Sequence, residues 1–80
     1  MPVVFRWRGI RFFFFSNEGR PREPLHIHAE GSGVEAKLWI TPEVRVASSA
    51  GFDRRALADM IAVVEQHKDD IERAWHEHFG

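Results

Sequence analysis

The chain reads as an α+β fold of two layers: an antiparallel sheet of four to five strands, built from two hairpins, with one or two C-terminal helices packed on one face. Three observations predict it. Aromatic and β-branched residues crowd the first sixteen positions around a two-residue break at Arg8-Gly9. Residues 25–30 and 34–40 alternate in side-chain character on either side of Gly31-Ser32-Gly33. After Asp53 the period becomes helical, with Leu57, Met60, Ile61 and Val64 on one stripe. Eighty residues fit one domain, positions 1–80, with a thin core that oligomerisation would help.

Val3–Trp7 and Ile10–Ser16 are expected to form the first hairpin through Arg8-Gly9. That pairing sets Val3, Phe5, Trp7, Ile10, Phe12 and Phe14 on one face, and Val4, Arg6, Arg11, Phe13 and Phe15 on the other. Asn17–Pro24, punctuated by glycine and two prolines, reads as a loop. In the second hairpin Leu25, Ile27, Ala29, Val34, Ala36, Leu38 and Ile40 share the core face. His26, His28, Glu35, Lys37 and Trp39 then share the other. A loop of two or four residues is expected to set His28 opposite Glu35 and His26 opposite Lys37, whereas three residues would break the match. Thr41-Pro42 ends this strand, and Glu43–Ala47 is a candidate fifth strand at an edge.

Asp53 is placed to cap the first helix, with Phe52 and Leu57 as a hydrophobic staple. Asp69 and Glu72 resemble a capping box. A second helix carrying Ile71, Trp75 and Phe79 is therefore expected after a break near His67-Lys68, although one unbroken helix fits the stripe nearly as well. Gly80 suits the close of the last turn.

The absence of cysteine excludes disulfides, thiolate metal sites and thiol nucleophiles, and fits a reducing compartment. The start lacks a signal-peptide pattern, and no stretch approaches the roughly 20 apolar residues of a bilayer span, so a soluble cytoplasmic protein without membrane contact is expected. Eleven Lys and Arg against twelve Asp and Glu give a formal charge of −1. Arg6, Arg8, Arg11, Arg20 and Arg22 nevertheless crowd the first third, and seven of the acids follow residue 50. A polyanion would meet the sheet.

The candidate chemistry lies with His26 and His28. As a residue type, imidazole serves as general acid or base, and a nearby ammonium or guanidinium stabilises developing phosphate charge. Metal-independent RNA cleavage needs such a set: His26 and His28 for proton transfer, Glu35 to orient an imidazole, and Arg6, Arg11 and Lys37 for phosphate. The plainer alternative is a solvated polar sheet face. Zinc would need a third ligand from Glu30, Glu35, His76 or His78, so no metal or other cofactor is expected. Phe13, Phe15 and Trp39 suit a partner or homodimer surface better than base stacking, because a short chain gains most from burying such rings. His67, His76 and His78 are expected to be exposed helix residues.

Arg11-Phe12-Phe13-Phe14-Phe15-Ser16-Asn17-Glu18, Arg22-Glu23-Pro24-Leu25-His26-Ile27-His28, Glu35-Ala36-Lys37-Leu38-Trp39-Ile40 and the closing Trp75-His76-Glu77-His78-Phe79-Gly80 together resemble the bacterial "domain of unknown function 4160" family. Leu25 stands where that family usually has a second proline. The resemblance implies a small stand-alone protein, often encoded beside a member of the "domain of unknown function 2442" family, in an arrangement similar to toxin–antitoxin pairs. It supplies no catalytic residues. The expectation is a toxin–antitoxin-like protein that binds a cognate small protein from a neighbouring gene, with metal-independent ribonuclease activity and RNA binding as its enzymatic form. The alternative is a non-catalytic adaptor or dimerising module.

Overall fold

The computed structural model describes residues 3–14 and 24–79. Five strands, β1 (Val3–Trp7), β2 (Ile10–Phe13), β3 (His26–Gly31), β4 (Val34–Trp39) and β5 (Arg45–Ala50), precede helices α1 (Arg54–Gln66) and α2 (Lys68–Phe79). The strands form one antiparallel sheet in chain order, with β1 and β5 at its edges. The expected α+β architecture is therefore present, with five strands and two helices.

Each turn has a local cause. Arg8 and Gly9 both take positive φ, 51° and 75°, the pattern of a primed turn whose twist matches that of the paired strands. Phe5, Arg6 and Trp7 then pair with Phe12, Arg11 and Ile10 as expected. An irregularity at Val4 shifts Val3 onto Phe13. Val3 consequently leaves the face it was expected to share with Phe5 and is 38% exposed. Phe15 and Ser16, assigned to the second strand, and loop residues 17–23 lie outside the described residues.

The second hairpin turns on Ser32-Gly33, with Gly33 at φ 72°. Gly31 is drawn into the strand and pairs with Val34, so the cross-strand partners differ from those expected. His28 lies opposite Lys37, His26 opposite Trp39, and Glu30 opposite Glu35. Sliding a two-residue turn by one position moves each partner by two residues and leaves every side chain on its original face. β5 begins two residues later than the expected Glu43 and continues to Ala50, because Ser48, Ser49 and Ala50 keep pairing with Lys37, Ala36 and Glu35.

Asp53 caps α1, accepting a hydrogen bond from the Ala56 amide at 2.7 Å. The expected helix break is real, and His67 makes it. Its amide reaches the Val63 and Val64 carbonyls at 3.2 and 3.1 Å, and its Nδ1 donates to the Val63 carbonyl at 2.9 Å. Asp69 and Asp70 lie in the first turn of α2 rather than at its cap, where they complement the positive end of the helix dipole.

Both helices contribute to a core with Phe12, Phe14, Ile27, Leu38 and Ile40 from the sheet side and Met60, Val64 and Ile71 from the helices, all closed to solvent. Each such side chain contributes about 1.5–3 kcal/mol. Phe5 stacks on Phe12 at 4.3 Å and on His67 at 4.0 Å, so His67 is half-buried rather than exposed as expected. Trp75 meets Phe14 edge-on at 5.3 Å and Phe79 at 4.3 Å. Among the described residues no helix is long and apolar enough to cross a membrane.

Candidate functional site

On the sheet face turned away from the apolar core, the pairing arranges side chains in rows across the strands. One row runs Arg6, Arg11, Glu30, Glu35 and Ala50. The next runs Val3, Phe13, His28, Lys37 and Ser48, and a third joins His26, Trp39 and Arg45. His26, His28, Glu35 and Lys37 thus share a face, as alternation required, but their environments diverge.

His26 is fully buried rather than displayed. Its Nδ1 donates to the Pro24 carbonyl at 2.9 Å, and its ring meets Trp39 at 5.6 Å, Trp75 at 5.3 Å and His28 at 5.2 Å. Trp75 comes from α2, so a helix side chain reaches the beginning of β3. His28 is half-buried, with Phe13 5.9 Å from its ring. The expected pair of accessible imidazoles is therefore one accessible ring backed by one enclosed ring.

Lys37 holds its ammonium 4.5 Å from the Trp39 ring centre, a cation–π contact. Glu35 is exposed and stands opposite Glu30, not opposite an imidazole, so the orienting role expected of it lacks the expected geometry. Like charges in that position repel. Arg11 offsets this by pairing with Glu30 at 2.7 Å, which commits its guanidinium to a carboxylate. Both partners are nearly half exposed, and pairs of that kind contribute at most about 1 kcal/mol. Arg6 lies beside Arg11 across β1 and β2, exposed.

Of the aromatic residues expected to meet a partner, Phe13 is only 3% exposed, Trp39 is half-buried, and Phe15 lies outside the described residues. Phe13 therefore lies on the outer face, beside His28, but offers little of its own surface there. Among the described residues no three His, Asp or Glu side chains are grouped to hold a metal ion.

A cleft of about 330 Å³ opens on this face, lined by Phe13, His28, Ala29, Glu30, Glu35, Ala36, Lys37, Ser48, Ser49 and Ala50. Ser48 and Ser49 lie beyond the expected end of the fifth strand at Ala47 and so are not among the expected site residues. The run from Arg45 to Ala50, free of Gly and Pro until Gly51, was the available signal.

The family model for a domain of unknown function, DUF4160, matches residues 9–76. The chain belongs to the DUF4160 family. No curated protein and no solved structure matches it significantly. The DUF4160 match takes in every residue that lines the cleft and leaves out Arg6 and Phe79.

Proposed function

We propose that this DUF4160 protein is the binding member of a toxin–antitoxin-like pair and contacts a cognate small protein through the outer sheet face. One observation carries the reading. Among the described residues that face displays Arg6, Arg11, Lys37 and Arg45 against Glu30 and Glu35, although the whole chain is formally −1. A cationic face on a slightly acidic protein favours a partner that presents an acidic segment, and complementary charge speeds and orients such docking. Mixing with the product of the neighbouring gene should give one co-eluting species on gel filtration. The complex should weaken when salt rises from 0.05 to about 0.5 M and when Lys37→Glu is combined with Arg45→Glu. Two proteins that elute independently at low salt would overturn the reading.

A second reading, metal-independent RNA cleavage, is favoured by the direct pairing of His28 with Lys37. With His26 enclosed, His28 would take the proton of a 2′-hydroxyl as that oxygen bonds to phosphorus, and return it to the departing 5′-oxygen as the old bond breaks. Lys37 would stabilise the charge between those events. His26, 5.2 Å behind His28, is then a positioning residue. Cleavage of single-stranded RNA that persists in EDTA and is abolished by His28→Ala is the expected result, and an inactive wild-type protein removes this reading.

A further inference from the structure

We propose that the cleft on the outer sheet face is a binding site for a phosphorylated, hydroxyl-bearing molecule of sugar size, with His28, Lys37 and Ser48 holding the phosphate and Glu35 receiving the hydroxyls. The cleft lies on the face proposed for docking and shares Lys37 with it, but filling it requires no partner.

The donors follow from the register. His28 pairs with Lys37 and Lys37 with Ser48, so an imidazole, an ammonium and a hydroxyl occupy consecutive strands in a single row. Neighbouring strands lie about 4.8 Å apart. An oxyanion resting over the middle of the row comes within reach of all three groups, and a phosphate oxygen accepts from each. Arg11, the more obvious phosphate ligand in the sequence, does not line the cleft.

The acceptors lie one row away. Glu30 and Glu35 are two residues along their strands from His28 and Lys37, an offset of about 6.8 Å. An ionised carboxylate only accepts, so it repels a bare phosphate and welcomes hydroxyl groups. A row of donors and a row of acceptors at that separation match a molecule with phosphate at one end and hydroxyls several atoms away. Phe13 lines the cleft beside His28 and offers an apolar wall to the carbon skeleton. The volume, about 330 Å³, lies at the small end of ligand pockets, which run from roughly 300 to 1,000 Å³. It suits a sugar phosphate better than a dinucleotide.

Titration of the full chain with ribose 5-phosphate, ribose and inorganic phosphate, followed by ¹H–¹⁵N NMR, tests the assignment. Ribose 5-phosphate should shift the amides of His28, Lys37 and Ser48 saturably, with a Kd at least tenfold below that for inorganic phosphate, and ribose should not saturate over the same range. Lys37→Met should raise the Kd at least tenfold while keeping a dispersed spectrum. Ser48→Ala, on an exposed edge strand, provides a second variant whose folding is not in question and should raise it several-fold. Glu35→Ala should erase the preference for ribose 5-phosphate over inorganic phosphate. Equal affinity for the two phosphates, unsaturable shifts, or indifference to both Lys37→Met and Ser48→Ala would overturn the proposal. Because the titration uses no partner protein, its failure is distinct from failure to form a complex.

Discussion

Replacing Gly51 by alanine should destabilise the protein through two separable effects. Gly51 ends β5 at φ 91°, where an L side chain is strained, and this part costs about 1–2 kcal/mol. An added Cβ would also lie 2.6 Å from Val34 Cγ1, 3.1 Å from the Gly33 carbonyl oxygen and 3.3 Å from Val34 Cα. Overpacking of that kind adds about 1–3 kcal/mol. The whole domain should have about 4–12 kcal/mol of stability at this length, so a loss of about 2–5 kcal/mol is a large fraction. With a urea slope near 1–1.5 kcal/mol/M, the midpoint should fall by roughly 2 M. Val34→Ala removes the offending methyl. Val34 is half-buried, and this change alone should cost about 1 kcal/mol. In that background Gly51→Ala should keep its backbone cost and the close approach to the Gly33 carbonyl and lose only the clash with the methyl, which gives a coupling of about 1 kcal/mol in a double-mutant cycle. Strict additivity would refute the contact with Val34, and a cost below about 0.5 kcal/mol for Gly51→Ala alone would refute the turn geometry.

Other substitutions test other elements. Asp53→Ala deletes the acceptor for the Ala56 amide and should lower stability by about 1 kcal/mol in urea titration, whereas Asp53→Ser should retain most of it. His67→Ala removes both the Nδ1 bond to Val63 and the ring stacked on Phe5; a loss of about 1–3 kcal/mol, seen as an earlier thermal melt by circular dichroism, is expected. Mass-spectrometric exchange of the imidazole C2 hydrogens should find His26 slower than exposed His76 and His78, and Trp75→Ala should cost about 3–5 kcal/mol and speed exchange at His26. Equal rates at His26 and His76 in the unaltered protein would contradict the enclosure of His26.

The faces of β3 and β4 were legible because period two ties side to residue parity, wherever the turn falls. The partners were not, since they depend on whether Gly31 belongs to the turn or to the strand, and three small residues in a row leave that open. The cap at Asp53 was readable from local chemistry alone, whereas the break falls where a capping box at Asp69 suggested it but is made by His67 instead. The enclosure of His26 was not: it depends on Trp75, far along the chain, and the helical stripe shows only that Trp75 is covered. His67 was misread for a related reason. Its position in a polar stretch suggested solvent, while the space beside Phe5 is defined only once sheet and helices meet. The candidate site was half visible, with His28, Glu35 and Lys37 in place and its Ser48 wall hidden by a strand boundary.

Because each strand hydrogen-bonds only to strands adjacent in the chain, the sheet can grow outward from either tight hairpin without a prior long-range closure. Such a low contact order for a β-rich layer favours rapid folding. The longest connection between paired strands runs from Phe13 to His26. Even doubling that connection would add only about 0.6 kcal/mol of closure entropy. Length variation there is thermodynamically cheap, whereas a residue inserted in either two-residue turn must be taken up by a three-residue turn, because a one-residue slip of register would invert the faces of the strand that follows.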